Sequence, residues 1–213
     1  MMESKARILV ADDERNIRKN LAMVLEAGGY LVDVAKDGDE ALELCKNNHP
    51  DIAFVDLHMP KMAGLEVLAN IRALSPKTAV VIVTAYGSAA NAVQAMKLGA
   101  VEFLEKPFDP KAIALLTEEI SFRQRVGAGV SFDDLMHLAE LARERKANIE
   151  ARAYLKSAMS RALDRPEPYY WLGFLCENEG DERRAVQYYY SAITADHSYD
   201  AATAALKRLG KLH

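Results

Sequence analysis

Short apolar runs recur along the first half of the chain, each bounded by polar or turn-forming residues. They are RILVADD ending at Asp13, Tyr30 to Ala35, IAFVDLHMP from Ile52 to Pro60, AVVIVTA ending at Ala85, and VEFLEKPF from Val101 to Phe108. Runs of this length predict strands buried on both faces, as in a parallel sheet. Between them the apolar positions take a helical period. Ile17, Leu21, Val24 and Leu25 predict a helix ended by Gly28 and Gly29. Asp37 with Glu40 three residues on opens a second, through Leu44 to about Asn47. Leu65, Leu68, Ile71 and Arg72 mark a third that stops at Ser75-Pro76, and Ser88 opens a fourth, carrying Val93 and Met96 and closed by Gly99. Asp109 followed by Pro110 starts a fifth, which is expected to run on through Phe122 to Arg125. Strand and helix in alternation give an α/β fold with a doubly wound five-stranded parallel sheet.

Past Arg125 the pattern changes. Arg125 to Ser131 carries two glycines, Gly127 and Gly129, and reads as a linker or helix break. Beyond it no strand pattern appears. Pro166 to Tyr199 places Leu172-Gly173, Gly180-Asp181, Ala185, Tyr189, Ala192 and Asp196 where one tetratricopeptide (TPR) repeat has its small and turn residues, and the stretch resembles such a repeat. Shifted back by 34 positions, Leu138, Ala139, Ala142, Ala151, Leu155 and Ala158 fall on Leu172, Gly173, Cys176, Ala185, Tyr189 and Ala192. The earlier unit departs from the pattern at Lys146, where a turn glycine is expected, and at the displaced Pro166; the later one has His197 where a proline is expected. An ordinary helical bundle could match this spacing by chance. Ala201 to Leu209 would be a closing helix over the open end. The expected organisation is an α/β domain over 1–125, a linker over 126–131, and an all-α TPR-like domain over 132–213. Stacked repeats usually need about three units to bury a continuous core. Two and a cap would therefore lean on the α/β domain or on a second copy, as in a homodimer.

Charge adds an exclusion. Lys and Arg number 27 against 31 Asp and Glu; up to Ile120 the count is 13 against 18, and from Ser121 onward 14 against 13. Neither half shows the clustered positive excess of a nucleic-acid binder, so none is expected. No apolar run approaches the ~18 residues of a membrane span, and the run before Asp12 is too short for a signal peptide. Cys45 and Cys176 sit inside amphipathic patterns in different halves, which suits buried thiols of a reducing cytosol better than a disulfide. The chain reads as soluble, cytoplasmic and without a membrane partner.

The strand ends carry the chemistry. Asp12 and Asp13, Asp56, Thr84 and Lys106 each finish an apolar run. A lone Asp in such a place is also what caps a following helix. In a parallel sheet, however, the carboxyl ends of the strands line the ligand crevice, so these residues would converge. Packed carboxylates repel unless a cation sits among them. Magnesium needs only one or two carboxylates, water and phosphate oxygens, so Asp13 and Asp56 are candidate direct ligands and Asp12 a direct or water-mediated one. With that charge and Lys106 neutralising a phosphoryl group, the Asp56 carboxylate could attack phosphorus, and Thr84 could hydrogen-bond a phosphoryl oxygen.

VADDE, VDLHMPKMAG, VTAYGSAANAVQAMKLGA and FLEKPF together resemble the receiver domain of two-component response regulators, over roughly Lys5 to Arg125. The resemblance implies a flavodoxin-like fold and the following roles. Asp56 is the phospho-acceptor, Asp12 and Asp13 are the Mg2+-binding acidic pair, and the backbone carbonyl of His58 is a further metal ligand. Thr84 is the switch hydroxyl, Lys106 senses phosphate, Phe103 is the aromatic whose rotamer follows Thr84, and the Lys106–Pro107 bond is cis. Ala63 and Phe103 depart from an Asp and a Tyr common in the family, outside the chemistry. His58 and Tyr86 occupy positions that tune phosphoryl lifetime; the side chain of His58 could also be read as a metal ligand or base. The implied partners are a sensor histidine kinase and a downstream protein held by the helical half, where the TPR resemblance points to Tyr170, Phe174 and Glu177. Such a protein catalyses only its own phosphorylation and dephosphorylation. A DNA-binding transcriptional output would need a basic recognition helix. An ATPase output would need GxxxxGK[ST], which the chain lacks, and a phospho-aspartate phosphatase would carry a second Asp where His58 stands. A constitutive scaffold with a silent receiver would not need all five site residues.

Overall fold

The computed structural model describes residues 6–85 and 87–212. Tyr86 lies outside them. The described chain alternates β1 (Arg7–Ala11), α1 (Arg15–Ala27), β2 (Leu31–Ala35), α2 (Gly38–Asn48), β3 (Ile52–Val55), α3 (Gly64–Leu74), β4 (Ala79–Thr84), α4 (Ala89–Lys97), β5 (Glu102–Glu105) and α5 (Pro110–Val126). The strands form one five-stranded sheet in the order β2-β1-β3-β4-β5, parallel at every pairing. Strand order reverses between β1 and β3. That is the switch point at which an open α/β sheet leaves a crevice beyond its carboxyl ends.

Two apolar layers hold the sheet. Leu9, Val55, Val80 and Ile82 face a layer with Ala41, Cys45, Val67, Leu68 and Ile71 from α2 and α3. Ile8, Val10, Phe54, Val81 and Val83 face the opposite one with Leu21 and Leu25 of α1 and Ile113, Leu116 and Ile120 of α5. β3 and β4 are buried at every position, which is why they read as unbroken apolar runs. Helix ends fall where the side chains predict. Asp37 accepts from the Glu40 N–H and Ser88 from the Asn91 N–H, each meeting a donor that the helix leaves unpaired. Glu40 returns a bond to the Lys36 N–H, one residue before the cap.

The chain packs as two units that divide between Ser121 and Phe122, inside α5. The second unit continues with α6 (Phe132–Glu144), α7 (Asn148–Arg161), α8 (Glu167–Asn178), α9 (Glu182–Ala195) and α10 (Asp200–Arg208), after a break at Gly127 to Ser131. Ser131 and Asp134 form a reciprocal capping box on α6. The six positions paired by the 34-residue shift are buried in both stretches: Leu138, Ala139, Ala142, Ala151, Leu155 and Ala158, then Leu172, Gly173, Cys176, Ala185, Tyr189 and Ala192. Gly173 touches α9 closely, since a Cβ there would lie 2.7 Å from the Tyr189 ring. Lys146, at the place of a turn glycine, takes φ +64°, matching φ +81° at Gly180. Cys45 and Cys176 are buried free thiols. No helix among the described residues is long and apolar enough to cross a membrane.

Candidate functional site

Asp12 follows β1, Asp56 follows β3, Thr84 ends β4 and Lys106 follows β5. The ladder sets their relation. The Asp56 N–H donates to the Ala11 carbonyl (2.8 Å), which places Asp56 beside the end of β1, and the Lys106 N–H donates to the Thr84 carbonyl (2.8 Å). Carboxylate oxygens of Asp12, Asp13 and Asp56 all lie within 4.8 Å of one another. Lys106 closes the group: its Nζ donates to Asp12 Oδ2 at 2.6 Å and to Asp56 Oδ2 at 2.9 Å, with Glu14 Oε1 at 3.6 Å. The Lys106–Pro107 peptide bond is cis.

Asp12 and Asp56 are buried, at 2% and 5% exposure, whereas Asp13 and the side chain of His58 are exposed. Burial pushes the Asp12 carboxyl up despite the bonds from Lys106 and the Glu14 N–H. Burial pulls the Lys106 ammonium down, but its contacts with Asp12 and Asp56 outweigh that and its pKa is raised. Three carboxylates against one ammonium leave two negative charges uncompensated, with hard oxygen donors facing one point. This set fits a small divalent cation such as magnesium.

Thr84 is fully buried, and Phe103 is half-buried against the layer that holds Ile82 and Ala100. The His58 N–H approaches Asp56 Oδ1 at 3.4 Å. One residue without a reactive group also shapes the loop. Gly64, the first residue of α3, donates its N–H to the Leu57 carbonyl (2.9 Å), and a Cβ there would lie 2.0 Å from the carbonyl oxygen of Asp56. The only signal in the sequence was a glycine eight residues past Asp56.

In the second unit, Tyr170, Phe174 and Glu177 all lie on α8. Tyr170 meets the rings of Trp171, Tyr189 and Tyr199 with centroids 5.1, 5.7 and 5.8 Å away. Glu177 accepts from the Tyr189 hydroxyl at 2.6 Å and pairs with Arg208 at 2.7 Å. Phe174 stands edge-on to Trp171 at 5.5 Å. No spacing along the chain marks this bond network, because its members come from three helices.

A family model described as a response regulator receiver domain matches residues 8–118. The chain is 36% identical over 112 residues to the Regulatory protein AtoC of Escherichia coli, covering 53% of this chain and 24% of that protein. It is 41% identical over 102 residues to the Response regulator MprA of a Mycobacterium species, covering 48% and 44%. Thus the chain spans less than half the length of these curated relatives. Among solved structures, a response regulator receiver domain protein from Clostridium thermocellum is 35% identical, with a TM-score of 0.54 over 57% of this chain and 98% of that one. A CheY-like receiver from Methanospirillum hungatei is 30% identical, with a TM-score of 0.55 over 58% and 100%.

Proposed function

The chain belongs to the response regulator receiver family, and from that premise we propose that Asp56 accepts a phosphoryl group from a sensor histidine kinase and that a TPR-like helical unit carries the output. The observation that supports this most is the ion-paired group of Asp12, Asp56 and Lys106. An Asp56 carboxylate oxygen attacks phosphorus as the bond from phosphorus to the donor's imidazole nitrogen breaks, leaving an acyl phosphate. Lys106 already reaches Asp56 Oδ2, so its ammonium can follow charge onto the transferred oxygens. Magnesium, held by Asp12, Asp13, Asp56 and the backbone carbonyl of His58, would neutralise charge on those oxygens. Thr84 then turns its hydroxyl toward the phosphoryl group and Phe103 fills the space it leaves. A hollow of about 330 Å3 beside Lys106, lined by Ile17, Met23, Val24 and Phe108, offers apolar surface for the kinase next to the acceptor.

The switch alters the surface of α4, β5 and α5, where Val93 and Met96 are exposed. Because α5 continues to Val126, a displacement of that helix is carried into the second unit. Coupling of ~1 to 3 kcal/mol between two states would be ordinary. The TPR-like reading draws on the 34-residue recurrence of buried residues and on the left-handed pair Lys146 and Gly180. A downstream protein would bind the face of α8 that carries Tyr170, Phe174 and Glu177. Its cytoplasmic setting suits two free thiols.

The decisive experiment is intact mass after incubation with a small acyl phosphate and magnesium. Gain of one phosphoryl group by the parent and none by Asp56→Asn is expected; no gain, or equal gain by both, refutes the reading. A second reading, DNA-binding output, is favoured by the name of one relative, the Transcriptional regulatory protein ResD of Bacillus subtilis, 38% identical over 112 residues. The family match stops at residue 118, before α6 to α10 begin. Salt-sensitive DNA binding by the phosphorylated chain would establish that alternative.

A further inference from the structure

The second unit holds a cavity of about 310 Å3 between α6, α7 and α8. Met136, Ala139, Leu155 and Trp171 make its apolar part, while Asp133, Glu140 and Arg143 bring charge to its edge. These α6 residues recur at helical spacing, so Asp133, Met136, Glu140 and Arg143 share one face of that helix. The Arg143 guanidinium stacks on the Trp171 ring at 4.3 Å, and Phe174 meets the ring's edge. The cation is therefore already engaged. Among the described residues, Glu140 has no ion-pair partner and is exposed. His137 also lines the cavity, and two carboxylates stand against one guanidinium around an aromatic and thioether floor.

We infer that this cavity binds a protein segment that seats one aliphatic side chain against Trp171 and Met136 and places a neighbouring lysine or arginine on Glu140 and Asp133. Its volume stands at the small end for ligand sites, enough for one large side chain rather than a drug-sized molecule. A leucine fits the floor, and the acidic rim selects against acidic neighbours. The inference gives a chemistry to the partner of the helical output, and in that sense rests on the proposed role of the second unit.

Trp171 is the single tryptophan of the chain, so indole fluorescence reports this cavity alone. The full chain is titrated with capped Ala-Lys-Leu-Lys-Ala and, separately, with capped Ala-Glu-Leu-Glu-Ala. The basic peptide produces a saturable change that added salt weakens, and the acidic peptide produces none over the same range. Glu140→Lys weakens the basic peptide at least about tenfold, and Glu140→Gln weakens it less; both change an exposed position on a helix surface. Equal or tighter binding of the acidic peptide, no saturable change with either, or an unaltered Glu140→Lys overturns the inference. The titration is repeated on Asp56→Asn. Binding there upholds the cavity as a site whatever becomes of phosphorylation, while a difference between phosphorylated and unphosphorylated parent tests the switch by itself.

Discussion

Replacing Gly64 by alanine tests how the reactive loop is built. The added methyl would sit 2.0 Å from the Asp56 carbonyl oxygen, 2.7 Å from the Leu57 Cα and 2.8 Å from the Asp56 carbonyl carbon, where ordinary contact begins near 3.4 Å. All three obstacles are backbone, so no rotamer change relieves them. Either α3 or the Asp56 loop must move by more than an ångström. Overpacking usually costs 1–3 kcal/mol, and an obstacle that cannot rotate away places this variant at about 3 kcal/mol or above. Gly180→Ala is the comparison. It meets nothing within 4 Å and is strained only by φ +81°, for about 1 kcal/mol. Hydrogen exchange read by mass spectrometry on β1 and β3 measures the first. A loss near 3 kcal/mol appears as roughly a hundredfold faster exchange through opening. The phosphorylation rate of the surviving folded protein should fall as well, since the displaced atoms belong to the peptide of Asp56, the proposed acceptor. Exchange within about 1 kcal/mol of the parent and an unchanged rate would show that the loop yields freely, and the steric argument would be wrong.

Lys106→Met removes the ammonium that lies between Asp12 and Asp56. Magnesium then meets more uncompensated negative charge, so calorimetric titration should show several-fold tighter binding, about 1 kcal/mol or more, together with slower phosphorylation. Weaker magnesium binding would contradict the charge count. Burial, with the bond to Glu177, raises the Tyr189 pKa well above the tyrosine range. The folded unit therefore keeps that proton after the unfolded chain begins to lose its own near pH 10, and stability falls as pH rises beyond that point. Denaturation followed through Trp171 should show this alkaline loss in the parent and less of it in Tyr189→Phe, which itself gives up about 1 kcal/mol; identical profiles would refute the assignment.

How much was legible follows from which interactions are local. The strands were visible because β3 and β4 are buried on both faces and so consist of unbroken apolar residues. Caps at Asp37 and Ser88 were visible because a cap acts within three residues of itself. Convergence of Asp12, Asp56 and Lys106 followed from parallel topology, which brings every strand's carboxyl end to one edge. The 34-residue recurrence likewise located buried positions of the second unit; Lys146 read as a departure from it, yet its backbone takes the left-handed turn of Gly180. What escaped was relational. Tyr189, Glu177 and Arg208 meet from α9, α8 and α10, and no spacing along the chain announces such a meeting. Gly64 was visible as a glycine but not as the point where α3 rests on the Asp56 peptide. The cavity beside Trp171 depends on how α6, α7 and α8 splay, which the apolar pattern leaves open.

The position of α5 governs how the protein can be dissected. Ile113, Leu116 and Ile120 anchor its first turns in the sheet's core, while Phe122 stands edge-on to His137 at 4.7 Å and Arg123 donates to the Tyr154 hydroxyl at 3.3 Å. A cut at Ser121 would leave the first fragment ending in a frayed helix and start the second at Phe122, with only the last five residues of α5 to hold that ring in place. One placed at Gly127 would spare the first fragment but expose the His137 face of the other. Fragments that each retain residues 110–126, sharing the helix by duplication, are the pair in which neither half loses a surface it needs.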